Sequence, residues 1–225
     1  MIYFVRHGES EANQRGVFTG QKEDSVLTEK GKEQARATAQ EIEKENLKID
    51  KIISSPLKRT KETAEIIAKE IGFDVSKISF DNRVIEYNMG SLTGTPIHKI
   101  SSLALISAEN AENVDDFLSR VVECIKEHSK SQENILIVSH AGVGRILETI
   151  KENMEAKFRS RSAFLHSASF APKTLWRSAE RSPPHFCFSR SSVLRTEVLQ
   201  RTGNAMILYF ENRFGYGLIN TLQTN

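Results

Sequence analysis

Basic side chains follow three short apolar runs of the sequence, at the point where each run ends. The first run is followed by Arg6 and His7, the second leads into a predicted helix that carries Arg59, and the third is followed by His140. Guanidinium groups bind carboxylate and phosphate oxygens in pairs, and a neutral imidazole can act as a nucleophile or a proton carrier near pH 7. These residue types predict chemistry on an anion, of which phosphate is the commonest.

The three apolar runs are predicted to be buried β-strands. They lie at residues 2–5, 51–54 and 135–138, and continuous apolar runs suit strands that are covered on both faces. Capping residues predict helices between them. The helices are expected from Thr28 to about Asn46, from Ser55-Pro56 to Gly72, from Asn113 onward and over 143–154, and a last strand is expected at 205–210. This alternation predicts an α/β fold, a three-layer α/β/α sandwich with a mostly parallel central sheet.

Parallel strands would bring the four basic residues together. In an open α/β sheet, ligands bind outside the carboxyl ends of the strands, where Arg6, His7, Arg59 and His140 are predicted to lie. Two predicted helix N-termini would point at the same place with free backbone N–H groups. Each residue alone has an ordinary alternative, a surface charge for an arginine or a hydrogen-bonded structural role for a histidine. Their joint placement at strand ends favours a phosphate pocket.

Five motifs stand in order along residues 6–142. They are Arg6–Asn13; Phe18–Gly20 with Asp24 and Leu27–Gly31; Ser54–Thr60; Glu86 with Gly90 and Gly94; and Val138–Gly142. The series resembles the histidine phosphatase superfamily, the phosphoglycerate-mutase-like proteins, and in particular its short phosphatase branch. The resemblance covers about residues 1–155 and resumes at 204–210.

The resemblance implies a phosphoglycerate-mutase-like fold and a metal-independent phosphomonoester hydrolase that uses no cofactor. His7 would form a phosphohistidine intermediate and Glu86 would act as general acid and base. The remaining site residues would bind the phosphate or the substrate; they are Arg6, Asn13, Thr19, Gly20, Arg59 and His140. The expected partner is a small phosphorylated metabolite, with no membrane, and the oligomeric state is left open.

A mutase-type phosphotransferase is the first alternative. The mutases of the family carry an arginine directly after the acid, whereas Glu86 is followed by Tyr87, Asn88 and Met89. Only 53 residues separate Glu86 from His140, too few for the long capping insert of the mutases. A shorter cap leaves the site wetter and favours hydrolysis. We therefore expect a phosphatase.

Two further alternatives come from other classes of protein. His7, His140, Glu86 and Asp24 could ligate a metal in a hydrolase, but two neighbouring arginines would repel a divalent cation. A protein that binds a phosphorylated ligand without turnover is expected to lack the nucleophile or the acid, and both are present here.

Charge divides the chain into unlike parts. Residues 1–156 carry a net charge of −5 and residues 157–225 a net charge of +7. We expect a catalytic domain at 1–156, a poorly ordered Ser/Arg-rich segment at 157–202, and a terminal strand of the catalytic domain within 203–225. The basic segment has three interpretations: a disordered insertion, an arm for RNA or an acidic partner, or an altered sequence. The acidic balance of residues 1–156 argues against nucleic-acid binding by the protein as a whole.

A cytoplasmic location is expected. The chain has two cysteines, Cys124 and Cys187, without CxxC spacing, which fits a reducing compartment. The first residues do not have the pattern of a signal peptide.

Overall fold

The computed structural model describes residues 1–99, 104, 107–149, 198–202 and 205–210. Its strands are β1 (Ile2–Arg6), β2 (Lys51–Ser54), β3 (Ser79–Phe80), β4 (Ile135–Ser139), β5 (Val198–Thr202) and β6 (Ala205–Phe210). Its helices are α1 (Glu11–Gln14), α2 (Glu29–Lys44), α3 (Lys58–Glu70), α4 (Val114–His128) and α5 (141–149). Short 3₁₀ turns occupy Val75–Lys77, Asn82–Val84, Gly90–Leu92 and Ile97–Lys99.

The six strands form one sheet in the order β3-β2-β4-β1-β6-β5. The first four run parallel to one another, while β6 is antiparallel to both β1 and β5. Arg6 pairs with Ser139 in the register between β1 and β4. His7 and His140 therefore leave neighbouring strands at the same edge of the sheet. The expected mostly parallel α/β architecture is confirmed.

Helices cover both faces of the sheet because strand side chains alternate between two cores. Phe4, Ile135 and Ile137 pack in one core with side chains of α4 and α5. Tyr3 and Val5 pack in the other core with side chains of α2 and α3. A strand buried on both faces has no solvated side, which explains its continuous apolar sequence.

Two of the predicted helix caps are confirmed, and one is wrong. The Thr28 side chain accepts from Gly31 N at the start of α2, and the Asn113 side chain accepts from Asp115 N at the start of α4. Ser55 does not cap α3, whose N-cap is Leu57 without a side-chain hydrogen bond. The Ser55 hydroxyl lies 2.8 Å from His140 Nε2 instead, so tertiary pairing has replaced the local cap.

The remaining boundaries differ from the expectations in detail. Helix α5 begins at residue 141, two residues earlier than predicted, and its predicted end at Met154 lies outside the described residues. The expected last strand is confirmed as β6. Val198–Thr202, placed by the sequence in the poorly ordered segment, forms β5. Residues 157–197 of that segment lie outside the described residues.

Candidate active site

His7 lies directly after β1 and is buried. Its Nδ1 is 2.7 Å from the carbonyl oxygen of Gly8, an acceptor that fixes the proton on Nδ1 and leaves Nε2 unprotonated. Burial lowers the pKa of His7 well below its ordinary range, and the charges of Arg59 and Arg6 lower it further. His7 is therefore a neutral imidazole of defined tautomer at pH 7.

Arg59 reaches the site from the first turn of α3 and is 0% exposed. Its Nε–H donates to His7 Nε2 at 3.3 Å, and its NH2 group donates to the carbonyl of Gly20 at 2.9 Å. Gly20 accepts this bond from a left-handed backbone conformation, at φ +51°. The bond fixes the loop that follows Phe18 against the guanidinium. Gly20 thus contacts Arg59 through its backbone carbonyl. Thr19 is half-buried, and its backbone carbonyl accepts a hydrogen bond from Glu23 N.

His140 follows β4 and faces His7. The two rings lie 5.2 Å apart in an edge-on arrangement. His140 Nε2 lies 2.8 Å from Ser55 Oγ. Burial lowers the pKa of His140 well below its ordinary range, with the charge of Arg59 as the next cause. His140 is therefore also neutral.

Two buried side-chain atoms have no hydrogen-bond partner within the described part of the chain, Arg6 Nε and His140 Nδ1. A buried polar atom without a partner costs about 1–3 kcal/mol, so such atoms need an explanation. Both belong to residues at the carboxyl edge of the sheet, beside His7. Two unused nitrogens at this edge of the sheet fit a ligand that supplies hydrogen-bond acceptors.

Glu86 supplies a buried carboxylate. Tyr87 N donates to its Oε1 at 2.8 Å, and Gly142 N, in the first turn of α5, donates to its Oε2 at 3.3 Å. The Glu86 charge raises the pKa of Arg6, although burial has the larger effect and lowers it overall. The carboxylate thus acts on the same arginines that surround His7.

Asn13 lies in α1, shortly after His7 in the chain. Its Oδ1 accepts from Ser10 N at 3.2 Å while its backbone N donates to Ser10 Oγ at 3.3 Å, which makes a capping box for the helix. The Ser10 hydroxyl also donates to Asn13 Oδ1 at 3.1 Å. The carbonyl end of the amide is therefore engaged at Ser10. The Nδ2 end is the part that could donate to a ligand.

Sequence analysis missed several groups around these residues. Ser55 holds His140, and Thr63 Oγ1 accepts from Gly8 N at 3.2 Å. Arg145 lies on α5, one turn after His140, and its pKa is lowered by burial and raised in part by Glu86. The position of Arg145 one helical turn after His140 could have indicated it, whereas nothing local to Ser55 or Thr63 shows their distant partners.

A possible metal-ligand group lies elsewhere. Among the described residues, one group of three side chains could hold a metal ion, with ligand atoms all within 4.8 Å of one another: Asp81, Cys124 and His128. Arg83 already binds both carboxylate oxygens of Asp81, and burial raises the pKa of the Cys124 thiol to about 12. The four ligands of the metal-hydrolase alternative do not form such a group, since Asp24 instead accepts from Lys58 N at 2.7 Å.

The fold and the site define an α/β protein with a cluster of arginine and histidine side chains at the carboxyl edge of its sheet. The chain belongs to the histidine phosphatase superfamily (branch 1), whose family model matches residues 2–170. The match extends 14 residues past the boundary expected at residue 156.

Curated relatives bear two kinds of name. The chain is 29% identical over 167 residues to the "Broad-specificity phosphatase YOR283W" of Saccharomyces cerevisiae, covering 69% of this chain and 72% of the relative. It is 32% identical over 164 residues to the "Probable phosphoglycerate mutase GpmB" of Escherichia coli, covering 66% of this chain and 74% of the relative. The names of its relatives therefore include both a phosphatase and a probable phosphoglycerate mutase.

Solved structures share the fold. "Mycobacterial hydrolase 1" matches with a TM-score of 0.57 at 24% identity, covering 66% of this chain and 79% of the other. The mycobacterial glucosyl-3-phosphoglycerate phosphatase Rv2419c, in complex with VO3, matches with a TM-score of 0.56 at 24% identity, covering 66% and 80%. No helix within the described residues is long and apolar enough to cross a membrane.

Proposed function

We propose that this protein is a metal-independent phosphomonoester hydrolase that acts through a phosphohistidine on His7, with Glu86 as general acid and base. The observation that carries the proposal is the pair of buried, unpartnered nitrogens, Arg6 Nε and His140 Nδ1, beside a neutral His7. A phosphoryl group placed against His7 would supply oxygen acceptors to both. The expected substrate is a small phosphorylated metabolite.

Binding of the phosphoryl group rests on fixed donors. Arg59 is 0% exposed and is held by its bonds to the carbonyls of Gly20 and Glu23, and Arg6, at the end of β1, is half-buried. His140 donates through Nδ1 if Ser55 Oγ–H donates to its Nε2, which fits the 2.8 Å distance between those atoms. Asn13 Nδ2 is the remaining candidate donor. Donors that need no rearrangement stabilise the charge that the equatorial oxygens carry in the transition state.

The nucleophile is His7 Nε2. Nε2 is unprotonated because the proton is held on Nδ1 by the Gly8 carbonyl, 2.7 Å away. The bond that Nε2 accepts from Arg59 Nε–H at 3.3 Å must break before Nε2 attacks phosphorus. In the first step, Nε2 forms a bond to phosphorus, the bond from phosphorus to the leaving oxygen breaks, and Glu86 gives its proton to that oxygen. In the second step, water attacks phosphorus, Glu86 takes the water proton, and the P–N bond breaks to release phosphate and the original imidazole.

Hydrolysis, rather than transfer back to an organic acid, is favoured by the residue after Glu86. Tyr87 is 4% exposed, its ring packs edge-on against Phe117 at 5.4 Å, and its hydroxyl donates to the Glu112 carbonyl. It adds no cation for a second anionic group of a substrate. Because one relative is named as a mutase, mutase activity is the second candidate, and 3-phosphoglycerate with a bisphosphoglycerate primer is its assay.

The test is phosphate release from p-nitrophenyl phosphate in excess EDTA, with His7→Ala as the matched control. We expect turnover that survives EDTA and falls by at least about 100-fold in the variant, because the residue that forms the covalent intermediate is lost. A ³²P-labelled substrate, quenched in base, should leave label on the wild-type chain only. Turnover lost in EDTA would favour a metal hydrolase, and full turnover by His7→Ala would refute the proposed nucleophile.

A further inference from the structure

Glu86 lies in a segment with little regular structure of its own. The segment comprises residues 81–88 and follows β3, and only one short 3₁₀ turn, Asn82–Val84, falls within it. A segment of this kind has few backbone partners to fix it. Other contacts must therefore hold the Glu86 backbone in place.

Gln21 Nε2 donates to the Glu86 carbonyl at 2.8 Å and Ser139 Oγ donates to the Val84 carbonyl, and Arg120, on α4, makes the largest set of these contacts. A guanidinium has five N–H donors in a planar fork, and here all five are used. Its NH1 group donates to the carbonyls of Arg83 (2.7 Å) and Ile85 (2.7 Å), and its NH2 group to the carbonyl of Glu86 (3.1 Å) and to Glu112 Oε2 (2.9 Å), while Nε donates to Glu112 Oε1 (2.6 Å).

Arg120 is itself held from two sides. Glu112 binds it through both carboxylate oxygens, and the guanidinium lies 4.6 Å from the centre of the Phe117 ring. Glu112 also accepts from Asn88 N at 3.2 Å. Bonds from the Arg120–Glu112 pair therefore reach the segment both before Glu86 and after it.

We propose that Arg120 is a positioning residue for Glu86, fixing the carboxylate by clamping the backbone on which it stands. This inference rests on the proposed function, in which Glu86 delivers a proton to the leaving group. Arg120 needs no contact with substrate for this role. Nothing in the sequence motif around Glu86 indicates it, because Arg120 lies 34 residues further along the chain.

Lysine is an informative replacement for Arg120. An ammonium keeps the charge near Glu112 but has three donors at one point instead of five in a fork, so it cannot bind three carbonyls and both carboxylate oxygens together. Arg120→Lys should leave Glu112 paired and loosen the segment. A displacement of about 1 Å can cost on the order of 100-fold in rate.

The experiment compares two substrates that differ in their need for a proton. Glycerol 2-phosphate releases a basic alkoxide that needs the general acid, whereas p-nitrophenyl phosphate releases a stabilised phenolate that leaves without one. We expect Arg120→Lys to lower kcat/KM on glycerol 2-phosphate by about 10-fold or more and kcat/KM on p-nitrophenyl phosphate by less than about threefold. The ratio kcat/KM is the quantity to compare because it reports phosphoryl transfer to His7 and not the later step, common to both substrates, in which Glu86 is the base. A general loss of folded protein would lower both by the same factor.

Two further variants make the outcome decisive. Arg36→Lys is the matched control: the side chain of Arg36, on α2, pairs with Glu70 on α3, away from residues 81–88, so both rates should stay within about twofold of the wild type. Glu112→Gln weakens the anchor of Arg120 and should show the same substrate selectivity to a smaller degree, which provides the test if Arg120→Lys does not fold.

Equal loss on the two substrates, or no loss, would overturn the positioning role. Glu86→Gln sets the reference, because removing the acid must itself produce the selectivity. If Glu86→Gln shows none, the proposed role of Glu86 fails. If Glu86→Gln shows it and Arg120→Lys does not, only the clamp fails.

Discussion

Glycine is required where two backbone segments closely approach other parts of the proposed active site. A Cβ on Gly8 would lie 2.2 Å from the carbonyl oxygen of Gly31, and a Cβ on Gly142 would lie 2.2 Å from Glu86 Oε1. The first approach fixes the chain directly after His7. The second lets the start of α5 donate an N–H to the carboxylate. At both positions the requirement is for space rather than for an unusual φ.

Replacing Gly142 by alanine should impair the acid without unfolding the protein. The new methyl group occupies the place of Glu86 Oε1, while alanine itself suits a helix. We expect kcat on an alkyl phosphate to fall by about 10-fold or more, measured in steady-state kinetics.

The control for this change is Gly144→Ala. Its Cβ would meet the Phe4 ring at 2.8 Å and not Glu86, so it should lower stability while kcat per folded molecule stays close to wild type. Unchanged kcat in Gly142→Ala would contradict the proposal that Glu86 acts as the acid from the position that the structure gives its carboxylate.

At the scale of elements, the N-cap residue of helix α3 supplies no side-chain hydrogen bond. Leu57 has no capping side chain, and the Asp24 carboxylate supplies the acceptor to Lys58 N from a separate loop. The same loop lies against Arg59 through the carbonyls of Gly20 and Glu23. The helix that carries Arg59 is therefore fixed to the loop by its cap and by its arginine.

Removing this cap should destabilise the fold. We expect Asp24→Ala to lower the free energy of unfolding by about 1 kcal/mol, as other lost N-caps do, measured by urea denaturation. Asp24→Asn keeps an oxygen acceptor at the same place and should lose less than half as much. Equal losses in the two variants would show that the charge of Asp24, and not its hydrogen bond, is what matters.

Local signals explain which elements could be predicted from the sequence. Three of the strands, β1, β2 and β4, are continuous apolar runs, and Thr28 and Asn113 cap helices through bonds to residues two or three positions away. Ser55 was wrongly predicted to be a cap because its partner, His140, lies 85 residues distant. Arg120 was missed for the same reason. Pairs that form only after folding leave no periodic trace in the sequence.

At the scale of the whole molecule, folding buries two titratable histidines in the site, His7 and His140. His7 and His140 are both neutral in the fold because burial and nearby arginines oppose their protonation. In the unfolded chain both would titrate near the ordinary histidine pKa of about 6.5. Below that pH the unfolded state binds more protons than the folded state, so acid favours unfolding.

Stability should therefore fall as the pH is lowered. We expect the free energy of unfolding to decrease from about pH 6.5 downward, by up to roughly 1.4 kcal/mol per pH unit for each of the two histidines. His7→Gln should make this slope shallower, whereas His98→Gln, at an exposed position, should leave it unchanged. Urea denaturation between pH 7 and pH 5 measures the slopes, and equal slopes in the wild type and His7→Gln would contradict the assignment.

The antiparallel pairing of β6 with β1 has a consequence for biosynthesis. The strand that precedes His7 is translated first, and its neighbour on one side, β6, is translated some two hundred residues later. A nascent chain that has completed β1, β2 and β4 still presents β1 as an open edge, with backbone groups that any extended peptide could bind. Until β6 leaves the ribosome, the backbone of the strand directly before His7 stays unpaired on that side.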